Sequence, residues 1–152
     1  MATLACLAVS WTIQAQCPND NVQYGSSSGA SLTASPTNLA TCIYGGEYRL
    51  VTDLNSGWTY NFSTCTDTDF DTEITVYDAV TGDLLGHNDD ACGTSSSVDI
   101  VSNGNPVRVL IDKSGCSSQI SCMTLQGSVV SETPSIAPCD ETITAENDST
   151  YN

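Results

Sequence analysis

The stretch Cys65-Thr-Asp-Thr-Asp-Phe-Asp-Thr-Glu-Ile-Thr-Val-Tyr-Asp78, continued through Gly82-Asp83 to His87-Asn-Asp-Asp-Ala-Cys92, decides the fold. Ile74 and Val76 recur with the period of two that defines a strand, and a Gly-centred turn at Thr81-Gly82-Asp83 reverses the chain. Two cysteines bracket the unit, so it reads as a folded hairpin and not as a disordered acidic run. It carries Asp67, Asp69, Asp71, Glu73, Asp78, Asp83, Asp89 and Asp90, with no Lys or Arg between the cysteines. Carboxylates at this density repel one another unless they are solvated, protonated or neutralised by a cation. A hard cation held by clustered oxygens satisfies them, and calcium is the expected ion.

Working outward, strand-like runs follow one another between turn signals. They are 47–53, 58–64 with Trp58, Tyr60 and Phe62 on one face, 73–78, 84–85, 97–101, 106–112 and 121–130. Turns fall at Asn55-Ser56-Gly57 and Asn103-Gly104-Asn105. Residues 17–37 read as a Ser/Gly-rich loop with one weak strand. No stretch sustains a 3.6-residue apolar period. The expected fold is all-β, an antiparallel β-sandwich or jelly roll over residues 17–130, followed by a tail or linker at 131–152.

Residues 1–16 pose a choice. Leu7, Val9, Trp11 and Ile13 alternate with small or polar residues, which is strand periodicity with one strongly apolar face. Ala15 before Gln16-Cys17 also suits signal-peptide cleavage, but a basic leading region is absent. The strand reading is preferred, and the segment is too short and too polar at its end to span a bilayer.

Three Lys+Arg against eighteen Asp+Glu give a formal charge of -15. Nothing here neutralises phosphates, which excludes nucleic acid and anionic membrane as expected partners. The eight cysteines form no C-x-x-C pair and His87 is the lone histidine, so zinc has little to build on. Disulfides in an oxidising, extracellular or cell-surface setting fit better. Local pairing predicts Cys65–Cys92, Cys116–Cys122 and Cys17–Cys42. Cys6 and Cys139 then remain at opposite ends, placed for a link that could join successive subunits.

Taken in order, Phe70-Asp71-Thr72, the strand Ile74-Thr-Val-Tyr-Asp78, the turn Thr81-Gly82-Asp83 and Asn88-Asp89-Asp90 resemble the bacterial pre-peptidase C-terminal domains. These are β-sandwich modules appended to secreted proteases and surface proteins. The likeness covers about the middle half of the chain, and the cysteine set is not a general feature of that family. It implies a non-catalytic extracellular module for adhesion, substrate contact or assembly.

Asp67, Asp69 and Asp71 copy the start of an EF-hand loop, with Asp78 at its twelfth place. Thr72 stands where that loop needs Gly, however, and Ile74 and Val76 alternate as a strand. The expected cation site is instead built from sandwich loops: Asp69 and Asp71 from one, Asn88, Asp89 and Asp90 from another. Some of these carboxylates would otherwise serve as turn caps. His87 reads as a surface loop residue, and the acids lack the aromatic platform of a glycosidase. Asn61-Phe-Ser63 and Asn147-Asp-Ser149 match the N-glycosylation triplet, a weak signal. The functional expectation is a non-enzymatic, calcium-binding structural subunit. Residues 4–15, through Leu7, Val9, Trp11 and Ile13, would add as a strand to a neighbouring copy and build a filament. The alternative is a substrate- or glycan-binding accessory module of a secreted enzyme or adhesin, with the strand paired inside its own domain.

Overall fold

The computed structural model describes residues 16–29, 31–66 and 69–132. The strand expected over 4–15, Cys6, Cys139, Asn147, Asp67 and the 131–152 tail beyond Glu132 lie outside the described residues. Among the described residues nine strands form in order: β1 Val22–Gln23, β2 Thr37–Gly45, β3 Glu47–Val51, β4 Thr59–Ser63, β5 Thr72–Asp78, β6 Leu84–Asp89, β7 Ser97–Val101, β8 Val107–Lys113 and β9 Gln119–Ser131. No helix occurs among the described residues. A five-stranded sheet, β1-β3-β8-β5-β6, faces a four-stranded sheet, β2-β9-β4-β7. Neighbours are antiparallel except β1 and β3, which pair in parallel through Val22–Glu47 and Gln23–Tyr48. The chain is an all-β sandwich.

The core lies between the sheets, where Ile74, Val76, Val109 and Ile111 meet Ile43, Phe62, Met123 and Leu125, all without solvent exposure. Alternation explains the inward set: Tyr60 and Phe62 of β4 are buried while Thr59, Asn61 and Ser63 are only partly so. Strand β5 departs from this rule and is buried at every position. Its second face is covered by the segment entering the domain. The Cys17 N–H donates to Thr75 Oγ1 (3.3 Å), and the Tyr77 hydroxyl donates to the Cys17 carbonyl (2.7 Å). Where β6 crosses β7, Gly86 allows contact that no side chain would: a Cβ there would sit 2.8 Å from Val98 Cγ2.

Among the described residues three disulfides staple the sandwich: Cys17–Cys116, Cys42–Cys122 and Cys65–Cys92. Cys65–Cys92 is as expected, and the other two local pairings are corrected. Cys122 is not joined to Cys116, because the β2–β9 register places Tyr44 opposite Cys122 and brings Cys42 to a Cα separation of 4.7 Å. Cys17 is not joined to Cys42, because its segment runs over the outer face of the other sheet, where Cys116 lies 5.1 Å away between Cα atoms. These two bridges close long loops, with sequence separations of 99 and 80 residues. The chain-entropy account assigns such loops about 4–5 kcal/mol each.

Candidate metal centre

The acidic hairpin sorts itself into unlike environments. Asp78 is buried but fully satisfied. It accepts from the backbone amides of Val80 (2.7 Å) and Thr81 (2.9 Å) and from the side-chain amides of Asn103 (2.6 Å) and Asn105 (3.0 Å). The Asn103 bond, followed by the others, holds its carboxyl far below the usual range against the opposing cost of burial. Asp83 accepts from the Thr81 hydroxyl at 2.8 Å and belongs to the turn. These two acids are turn chemistry.

At the opposite end of the hairpin, Asp71 precedes β5, Asp89 ends β6 and Asp90 follows with φ 71°. One carboxylate oxygen from each of the three lies within 4.8 Å of the others. Asp71 is half-buried, and its Oδ1 is sealed from solvent without a hydrogen-bond partner. Burial, then the negative charges of Asp90 and Asp89, push its carboxyl pKa upward, with Lys113 acting in the opposite sense. A third loop, after β8, closes the site from the side. The Ser114 N–H donates to the Asp71 carbonyl at 3.0 Å, and its hydroxyl reaches Asp89 Oδ2 at 3.4 Å. The Cys65–Cys92 bridge ties together the two loops that carry the acids.

Of the five residues expected to share an ion, the structure therefore gathers Asp71, Asp89 and Asp90. Asp69 is exposed on the same loop and does not join them. Asn88 lies opposite Ile74 in the β5–β6 register, and its Oδ1 accepts from the Ser97 N–H (3.2 Å), which commits it to β7. Ser114 was not foreseen, because a serine in a loop some 25 residues downstream carries no ligand signature by itself.

Beside this cluster lies a polar patch that the sequence did not reveal. Glu73 is buried and accepts from the Gly115 and Cys116 amides at 3.0 and 3.1 Å. His87 is not a surface loop residue. It stands in β6 with 13% side-chain exposure, its Nε2 3.5 Å from Glu73 Oε1 and its Nδ1 3.2 Å from the Thr75 hydroxyl. Asp112, also buried, receives the Asn21 amide at 3.1 Å. Burial above all, with Glu73 and Asp20 adding and Asn21 opposing, pushes its pKa up to about 6. Cys17 and Cys116 flank Glu73, but they are bonded to each other and offer no thiolate to a metal.

Asn61 is a poor glycan acceptor. It sits within β4, between β7 and β9, and its amide donates to Ser97 Oγ (2.8 Å) and Asp99 Oδ1 (2.7 Å). A sugar on that nitrogen would displace both bonds. No helix of the described residues is long and apolar enough to cross a membrane. No family model matches the chain, and no curated protein or solved structure matches it at a significant level.

Proposed function

We propose that the chain is a non-catalytic structural subunit of the cell exterior, whose sandwich binds calcium at Asp71, Asp89 and Asp90. In this reading copies join head to tail as residues 4–15 of one add to the next. The observation that carries the cation is the buried, unpartnered Asp71 oxygen facing two further carboxylates. Hard oxygen donors from loops of adjacent strands, with Ser114 beside them, are the donor set that calcium accepts. Three disulfides in so small a domain support an oxidising compartment. The resemblance to pre-peptidase C-terminal domains supports an extracellular, non-catalytic role. Assembly rests on the period-2 apolar face of Leu7, Val9, Trp11 and Ile13. Burying those four groups is worth on the order of 6–12 kcal/mol before ordering costs.

Calcium should raise the melting temperature of metal-free protein at neutral pH, and a chelator should reverse the shift. A melting temperature indifferent to both would refute the cation. Filaments in the electron microscope are the expected form of the full chain, and monomers at every concentration would refute the assembly.

A further inference from the structure

Residues 71, 73, 75 and 77 alternate with the buried Thr72, Ile74 and Val76, and each of the four takes part in one outer layer over β5. The Asp71 carbonyl accepts from the Ser114 N–H at 3.0 Å. Glu73 Oε2 accepts from the Gly115 and Cys116 N–H groups at 3.0 and 3.1 Å. Thr75 and Tyr77 hold the N–H and the carbonyl of Cys17 at 3.3 and 2.7 Å. The Cys17–Cys116 bridge then ties the segment fixed by Thr75 and Tyr77 to the loop fixed by Glu73.

That loop is short. Lys113 and Ser117 exchange both backbone bonds, at 2.8 and 3.0 Å, so Ser114, Gly115 and Cys116 form its whole tip. Gly115 (φ 80°) and Cys116 (φ 56°) both lie in the left-handed region. Glycine takes that conformation freely, but a cysteine keeps it only where its surroundings over-determine it. Here the surroundings are the bridge and the amide bonds to Glu73. The other side of the same tip faces the acids. The Ser114 hydroxyl lies 3.4 Å from Asp89 Oδ2, its N–H holds the Asp71 carbonyl, and the Lys113 charge at the loop's base acts on Asp71.

We propose that the Cys17–Cys116 bridge, with Glu73, positions the third wall of the calcium site, so that calcium binds more tightly with the bridge closed than with it open. The inference rests on the calcium reading above and is independent of assembly. The two cysteines act through Ser114, which stands two residues from Cys116 in a three-residue tip. Opening the bridge releases Cys116 from its left-handed conformation, and the tip cannot relax there without shifting Ser114 against Asp71 and Asp89. The coupling runs both ways, because a change in calcium affinity caused by the bridge equals the change in bridge stability caused by calcium. The Cys42–Cys122 bridge joins β2 to β9 in the other sheet and takes no part.

The test measures calcium affinity by titration calorimetry in the full chain, in Cys17→Ala/Cys116→Ala and in Cys42→Ala/Cys122→Ala. The last is the control, because its bridge spans 80 residues against 99 and contributes a similar stability by chain entropy. Removing the groups that orient metal ligands weakens binding about 10–100-fold, and that loss is expected for Cys17→Ala/Cys116→Ala alone. Wild-type affinity in this variant overturns the inference and leaves the calcium reading standing. An equal loss in both variants also overturns it, since general stability then accounts for the effect. A second measurement needs no variant and covers one that fails to fold. The ratio of reduced to oxidised dithiothreitol that opens half of Cys17–Cys116, read by alkylation and peptide mapping, should rise with saturating calcium by the same factor. The ratio for Cys42–Cys122 should stay where it is. A Cys17–Cys116 ratio indifferent to calcium overturns the inference, and a wild-type chain that binds no calcium overturns both it and the calcium reading.

Discussion

Asp112 and Asp71 are both carboxylates held above their ordinary range, and the causes differ enough to give different tests. At Asp112 the dominant cause is burial, reinforced by Glu73 and Asp20, and the pKa reaches about 6. The folded protein then binds that proton more tightly than the unfolded chain, whose carboxylates titrate near pH 4. The group's contribution is most favourable below about pH 4 and declines as pH rises to about 6. Asp112→Asn keeps an acceptor for Asn21 and removes the charge. It should stabilise the protein at pH 7 by about 1–3 kcal/mol and flatten the pH dependence between 4 and 6 in urea melts. At Asp71, burial is joined by the like charges of Asp90 and Asp89. Asp71→Asn should therefore raise the melting temperature of the metal-free protein while abolishing the calcium-induced rise. A variant that lost stability without calcium and kept the calcium response would contradict the assignment of Asp71 as a ligand.

At the level of elements, legibility followed regularity. Strands β3, β4, β5, β7, β8 and β9 fall on the strand-like runs read from the sequence, and the turns Asn55-Ser56-Gly57 and Asn103-Gly104-Asn105 fall between β3 and β4 and between β7 and β8. Strand β2 was not legible. Leu39, Ala40 and Ile43 are its buried apolar residues, and register shifts after Asn38 and Ala40 break the period that would have announced it. The site was half legible for a related reason. The sequence placed Asp71, Asp89 and Asp90 in facing loops, but which way Asn88 points depends on β7 crossing β6. That crossing also makes Gly86 a packing residue. An alanine methyl there would stand 2.8 Å from Val98 Cγ2 and 3.0 Å from Ile100 Cγ2. Gly86→Ala should cost about 1–3 kcal/mol in thermal or denaturant melts, and combining it with Val98→Ala should recover part of that loss. Strict additivity of the two substitutions would show that the predicted contact is not made.

For the whole molecule, the decisive quantity is a formal charge of -15 carried with only three basic side chains. Two of those three are engaged on tyrosine rings, Arg49 on Tyr24 at 5.6 Å and Arg108 on Tyr48 at 5.3 Å. Copies of such a molecule cannot associate through complementary charge, because there is almost no positive surface to complement. Any joint between them must be apolar, and it forms against mutual repulsion whose range is set by salt. The Debye length falls from about 30 Å at 0.01 M to about 8 Å at 0.15 M ionic strength. Assembly through residues 7–13 should therefore strengthen as monovalent salt rises over that interval, the reverse of an electrostatically driven association. Calcium should add to the effect at equal ionic strength by neutralising the acidic end of each subunit. Deleting residues 1–16 should abolish assembly at every salt concentration and leave a folded body, because the nine described strands and the three described disulfides all lie outside that segment. Trp11→Ala should weaken the joint by about 3–5 kcal/mol and keep the same salt trend. Light scattering across a salt series on these three proteins measures the sign directly, and association that weakens with salt would exclude an apolar joint between like-charged subunits.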